Sequence, residues 1–228
     1  MGQVRLFLGR AWRNVNRRVS RLYLGAQKKK GSMKLQRLGS PANGWYAPAN
    51  FKPGYRCYCI GVGLDASYDF AMAERGAEVH SFDPTPSAID YMSRKNPGNI
   101  YFHPWAALDK DGTMRLYFPM SDTHGSYFAE DLHNTGRYHE VPCYRLETIM
   151  QRLGHDTVDL IKMDIEGSWF SVLKDIPRSK IRPTILEVEY DSPAPIWRVA
   201  RVHSILRSIG YTLIHRERDN AVYELRKA

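Results

Sequence analysis

Residues 57–84 read CYCIGVGLDASYDFAMAERGAEVHSFDP, and this stretch decides the fold. An apolar run at 57–60 meets Gly61 and Gly63, a helical pattern follows over 67–75, and a second apolar run at 79–82 ends on Asp83. Strand, glycine turn, helix, strand, acid is the layout of a nucleotide-binding βαβ unit. Glycines there let the backbone approach a ligand, because a Cβ would collide with it. Asp83 stands near the ~20-residue spacing from the first glycine at which a carboxylate meets ribose hydroxyls. Two glycines alone are a weak signal, so the flanking chain has to specify the site.

Downstream, Thr85 and Pro86 start a helix expected over 85–96, one residue as its cap and the other in its first turn. A third strand is expected at 100–103, followed by Ala106 and Ala107, small residues against which a flat adenine ring can lie. Asp111-Gly112 marks a turn into an added strand pair that includes 114–118. Residues 121–144 are polar and read as a substrate loop carrying His124. Its histidines lack zinc spacing, so no metal is expected there. A helix follows at 146–153, closed by Gly154.

The run at 158–163 reads as a buried strand ending on Asp164-Ile165-Glu166-Gly167. Ligands of open parallel sheets sit at strand carboxyl ends. Two acids there can orient a cofactor, hold a metal or deprotonate a hydroxyl; alternatively, Glu166 caps a helix or pairs with Lys162 or Lys174. A fifth strand at 184–190 carries Glu187 and Glu189 on one face, placing both on the substrate side. A helix at 196–208 leads to apolar runs at 211–215 and 221–225 around the turn 218–220, a terminal β-hairpin. The expected fold is therefore α/β, a Rossmann-like, mostly parallel seven-stranded sheet with a C-terminal antiparallel hairpin.

Charge is unevenly spread. Residues 1–64 carry 13 Lys and Arg and no acid, leaving 20 basic against 24 acidic residues in the remainder. Basic character thus belongs to the N-terminal segment and concerns docking more than catalysis. Residues 3–24 repeat apolar side chains at three- and four-residue intervals, with arginines on another face, the pattern of a basic amphipathic helix. Such a helix packs on its own domain, packs on a second copy in a homodimer, or lies on an anionic membrane surface; nucleic acid is the least favoured partner. Residues 1–39 read as this helix plus a linker, and 40–228 as the catalytic domain. Cys57, Cys59 and Cys143 form neither a disulfide framework nor a metal motif, which favours a cytoplasmic setting, peripheral to a membrane if the helix docks there. Arginines interrupt the N-terminus too often for a signal-peptide core.

Four stretches together resemble the FkbM-type S-adenosylmethionine-dependent methyltransferases, of the class I methyltransferase fold. They are YCIGVG at 58–63 with SYD at 67–69, VHSFDPTP at 79–86, VDLIKMDIEG at 158–167 and ILEV at 185–188. The resemblance implies S-adenosyl-L-methionine as cofactor, with Gly61 and Gly63 at its methionine part, Asp83 on its ribose hydroxyls and Asp164 beside the sulfonium or the acceptor; Ser67, Ala106 and Ala107 are the further expected contacts. It implies O-methylation of a sugar, glycan or small natural product; the residues themselves leave Asp164, Glu166 and His124 as candidate bases and Glu187 and Glu189 as candidate acceptor-side residues. No metal is implied. Two positions depart from the family pattern: Trp169 stands where a Glu is usual, and Glu189 where a His is frequent. A nicotinamide-dependent oxidoreductase and a weakly catalytic binding module recruited by the basic helix are the rival readings.

Overall fold

The structure is a computed structural model that describes residues 2–117, 136–191 and 194–226, with side chains from Val15 onward. Five parallel strands form its centre: β3 (Arg56–Ile60), β4 (Glu78–Phe82), β5 (Ile100–His103), β9 (Leu160–Met163) and β10 (Ile185–Glu189). The hairpin β11 (Tyr211–Glu217) and β12 (Asn220–Leu225) joins antiparallel through β12, giving the order β11-β12-β10-β9-β3-β4-β5. This mixed seven-stranded sheet is compatible with the Rossmann-like architecture expected. Chain order reverses between β3 and β9, where an open α/β sheet leaves a crevice at its carboxyl edge.

Burial on both faces explains the apolar strands. Along β9, Ile161 and Met163 face one core with α4 (Leu146–Leu153), α5 (Trp169–Asp175) and α6 (Ile196–Ser208). Leu160 faces the other core, beneath α2 (Ser67–Glu74) and α3 (Pro86–Lys95). α3 begins as expected: Pro86 occupies its first turn and Thr85 Oγ1 accepts from Ala88 N at 3.3 Å. α4 ends on Gly154, whose φ of 69° is left-handed backbone; glycine adopts it without Cβ strain. Cys57, Cys59 and Cys143 are buried free thiols.

Two regions differ from the sequence reading. Residues 25–39 were expected to be a linker, but Lys29 N donates to Leu213 O at 2.8 Å and Ser32 N to Glu224 Oε2 at 2.9 Å. The strand β1 (Leu35–Leu38) then pairs antiparallel with β2 (Trp45–Pro48). These backbone partners, distant in sequence, outweigh local composition. The polar stretch 121–144 also holds structure: β8 (Tyr138–Tyr144) pairs antiparallel with β7 (Gly112–Tyr117) and parallel with β6 (Ala106–Ala107).

The N-terminal helix α1 (Gly2–Gln27) contacts α6 and β11. Leu24 and Ser20 are buried, and Ser20 Oγ donates to Ala194 O. Arg17 Nε and Arg21 Nε each donate to the buried Asp219 carboxylate at 2.8 Å, fastening the helix to the hairpin turn. Val15, Val19 and Leu22 remain exposed, at 59%, 42% and 75%, while Tyr23 packs against the core. Among the described residues, no helix is long and apolar enough to cross a membrane.

Candidate active site

A cavity of about 650 Å³ opens at the carboxyl edge of the sheet, where β3, β4 and β9 end. That volume falls within the ~300–1,000 Å³ usual for cofactor sites. Gly61, Gly63, Asp83, Ala106, Ala107, Asp164 and Glu166 all line it, so seven expected site residues meet in one place. Ser67, Glu187 and Glu189 do not line it. His124 lies outside the described residues.

The two glycines serve different ends. A Cβ on Gly61 would stand 1.8 Å from the Asp164 carbonyl oxygen, so this glycine lets the β3 and β9 turns touch. Gly63, at φ +57°, has no atom within 4 Å of where its Cβ would be, and faces open space in the cavity wall. Only the second provides the close approach to a ligand that the motif reading gave to both.

Asp83 is the keystone of the turn. Its Oδ2 accepts from Val62 N and Gly63 N, both at 2.9 Å. Its Oδ1 accepts from Thr85 N at 2.9 Å and Thr85 Oγ1 at 2.6 Å. A carboxylate offers about four lone-pair positions, and protein donors occupy that number. Asp83 therefore shapes the glycine turn first, and a ribose hydroxyl would have to share an oxygen already engaged.

Two carboxyl pairs form the acidic end. Burial, then the charge of Asp164 and a hydrogen bond with it, push Glu189 up to about 9. Burial, then Glu166 in the same way, pushes Asp191 up to about 9. Glu189 and Asp191 therefore keep their protons at neutral pH, because a second charge beside an existing one is disfavoured in a buried site. Asp191 is held in place from the other side: its Oδ1 accepts from Gly167 N at 2.9 Å and from Trp169 Nε1 at 3.0 Å. Trp169 is fully buried and packs edge-on against Tyr190. Asp191 and the role of Trp169 escaped the sequence reading, because the acid follows β10 and reaches Glu166 only in the folded sheet.

Lys162 is a second residue the sequence reading passed over as a site residue. It is 4% exposed, lines the cavity, donates from Nζ to Gly61 O at 2.6 Å and lies 3.9 Å from Asp164 Oδ2. Burial alone would lower its ammonium, but Asp164, then Asp69, outweigh burial and hold it above the ordinary value. A lysine within an apolar strand was the available signal, since a buried charge needs partners. Glu187 sits opposite Lys162 in the register of β10 and β9 and is fully buried. Burial raises its carboxyl well above the ordinary range, tempered by Tyr68 and Lys162. Glu187 thus belongs to the core beneath α2.

At the cavity's other end, Phe82, Trp105, Ala106 and Ala107 make an apolar wall. The site therefore offers a flat apolar slot, a glycine turn beside an acid, and a carboxylate end. The model of the methyltransferase FkbM domain matches residues 53–213. Curated relatives named "Probable methyltransferase-like protein 24" are 26% identical in Homo sapiens and 25% in Rattus norvegicus, each over 122 residues. Those alignments cover 53% of this chain and 28% of each relative. No solved structure matches this chain. The family match spans every cavity residue from Gly61 to Ser168, and on it the chain belongs to the FkbM methyltransferase family.

Proposed function

We propose that this protein binds S-adenosylmethionine in the carboxyl-edge cavity and methylates a hydroxyl of a sugar, glycan or small natural product. The observation that carries the reading is the shared wall: an apolar slot at Trp105–Ala107, the open Gly63 turn beside Asp83, and Asp164 all border one cavity. The residues fit the cofactor. The slot suits a flat ring, the space at Gly63 admits a chain against the backbone, and the acidic end suits a cation. When bound, the cofactor supplies an electrophilic methyl group on a good leaving group. The protein has then to align the acceptor oxygen and take one proton. Asp164 is the proton acceptor in this account. Glu189 keeps its own proton and donates it in a hydrogen bond to Asp164, while Lys162 balances the pair's remaining charge. The oxidoreductase reading loses its ground with the family match over this cavity.

The exposed Val15, Val19 and Leu22 and the acid-free basic segment support attachment of α1 to an anionic membrane surface. The catalytic reading is tested with methyl-labelled S-adenosylmethionine and separated pools of glycans, lipids and small metabolites. Label is expected in a hydroxyl-bearing product with the native chain, and reduced at least about 100-fold with Asp164→Asn. Label on an amine or thiol, or unchanged transfer by Asp164→Asn, would contradict it.

A further inference from the structure

A second cluster lies at the opposite end of β4 from Asp83. Glu78 opens that strand, and His80 follows two residues later on the same face. His155 reaches them from the turn after α4. One ligand atom from each of the three lies within 4.8 Å of the others. None of the three lines the cofactor cavity. We propose that Glu78, His80 and His155 bind a divalent transition-metal ion of the zinc type.

Spacing is the first support. His80 Nε2 stands 3.1 Å and His155 Nε2 3.4 Å from Glu78 Oε1. Ligands held at ~2.0–2.1 Å around a tetrahedral ion are separated by about 3.3 Å, so little movement separates this arrangement from coordination.

Orientation by neighbours is the second support. The other nitrogen of each ring is already engaged: His80 Nδ1 with His103 Nε2 at 3.0 Å, and His155 Nδ1 with the Tyr58 hydroxyl at 2.6 Å. Metal-binding histidines are fixed by such contacts at the far nitrogen; with the ring proton on Nδ1, each Nε2 is free to bind, and the ion takes the place of the hydrogen bond between His80 Nε2 and Glu78 Oε1. Arg56 grips the carboxylate, Nε to Oε1 at 2.9 Å and Nη2 to Oε2 at 3.0 Å, and so aims Oε1 at both rings.

Solvent access is the third. Side-chain exposure rises from 6% at His80 and 10% at His155 to 29% at Glu78, so the fourth position faces water. Two imidazoles and one carboxylate select zinc or cobalt over magnesium. Arg56 weakens the site through charge while ordering it.

The test uses the full chain, stripped with chelator and titrated calorimetrically with Zn²⁺ alone. One equivalent is expected to bind saturably, and Co²⁺ in its place should give the intense visible bands of a tetrahedral site. His155→Ala and Glu78→Gln are each expected to weaken Zn²⁺ at least about tenfold, with circular dichroism unchanged. Should either variant fail to fold, His155→Gln, which keeps the size and removes the imidazole, replaces it. Absence of saturable binding, or undiminished affinity in both variants, would show that these side chains form only a hydrogen-bonded cluster and overturn the proposal. The readout is metal binding, so failure of the methyl-transfer reading leaves it standing.

Discussion

Glu189 and Asp191 make the electrostatics of the acidic end measurable. Burial and the neighbouring Asp164 hold Glu189 at about 9, whereas the unfolded chain titrates near 4.3. The folded state thus binds the extra proton between those values. Its contribution to stability is complete below the unfolded value and is lost as pH rises through about 9. Stability is therefore expected to fall between about pH 5 and pH 9, and Glu189→Gln, which keeps the hydrogen bond without the titration, should flatten the decline. Denaturant midpoints for both proteins across that range check this; parallel curves would contradict a raised Glu189 carboxyl. Each recovered kcal/mol would appear as about 2–4 °C in thermal midpoint for a chain of this size. Lys162 illustrates why part of the site stayed hidden in sequence. Its spacing from Asp164 was plain, but its direction depends on the pleat of a central strand, and its bond to Gly61 O joins residues far apart in the chain.

The elements that were legible carry local signals: a glycine turn between apolar runs, Thr85 with Pro86 at a helix start, Gly154 at a helix end. β1 and β2 carried none, because their pairing with each other and the tethering of Lys29 and Ser32 to the hairpin are long-range bonds. The helix α1 was legible as a helix, but its pattern left packing on the domain, on a second copy and on a membrane all open; in the fold Ser20 and Leu24 bury and Val15, Val19 and Leu22 do not. The clamp of Arg17 and Arg21 on Asp219 turns the helix so. Membrane attachment by that stripe gives a direct expectation. The full chain should sediment with anionic vesicles, and Val19→Glu with Leu22→Glu should release it by at least about tenfold, each buried apolar side chain being worth about 1.5–3 kcal/mol. Equal sedimentation of both proteins would end the membrane account.

At the scale of the molecule, the sheet was readable because its strands are apolar, short and separated by helical patterns, which leaves few topologies. The carboxyl-edge cavity follows from that order, since the reversal between β3 and β9 opens the crevice that Gly63, Asp83 and Asp164 border. The acid pairs and the Glu78–His80–His155 cluster were not readable, because each joins residues from elements that meet only in three dimensions. The proposed function requires that the turn shaped by Asp83 receive S-adenosylmethionine. Calorimetric titration of the full chain with S-adenosylmethionine, beside Asp83→Asn, tests it most directly. The native chain is expected to bind one equivalent. The variant's amide must present a donor to either the Val62–Gly63 amides or Thr85, and losing one charge-assisted bond, about 1.5–3 kcal/mol, should weaken binding by about 10- to 100-fold. No binding by the native chain, tight nicotinamide binding in its place, or equal affinity in Asp83→Asn would contradict the account.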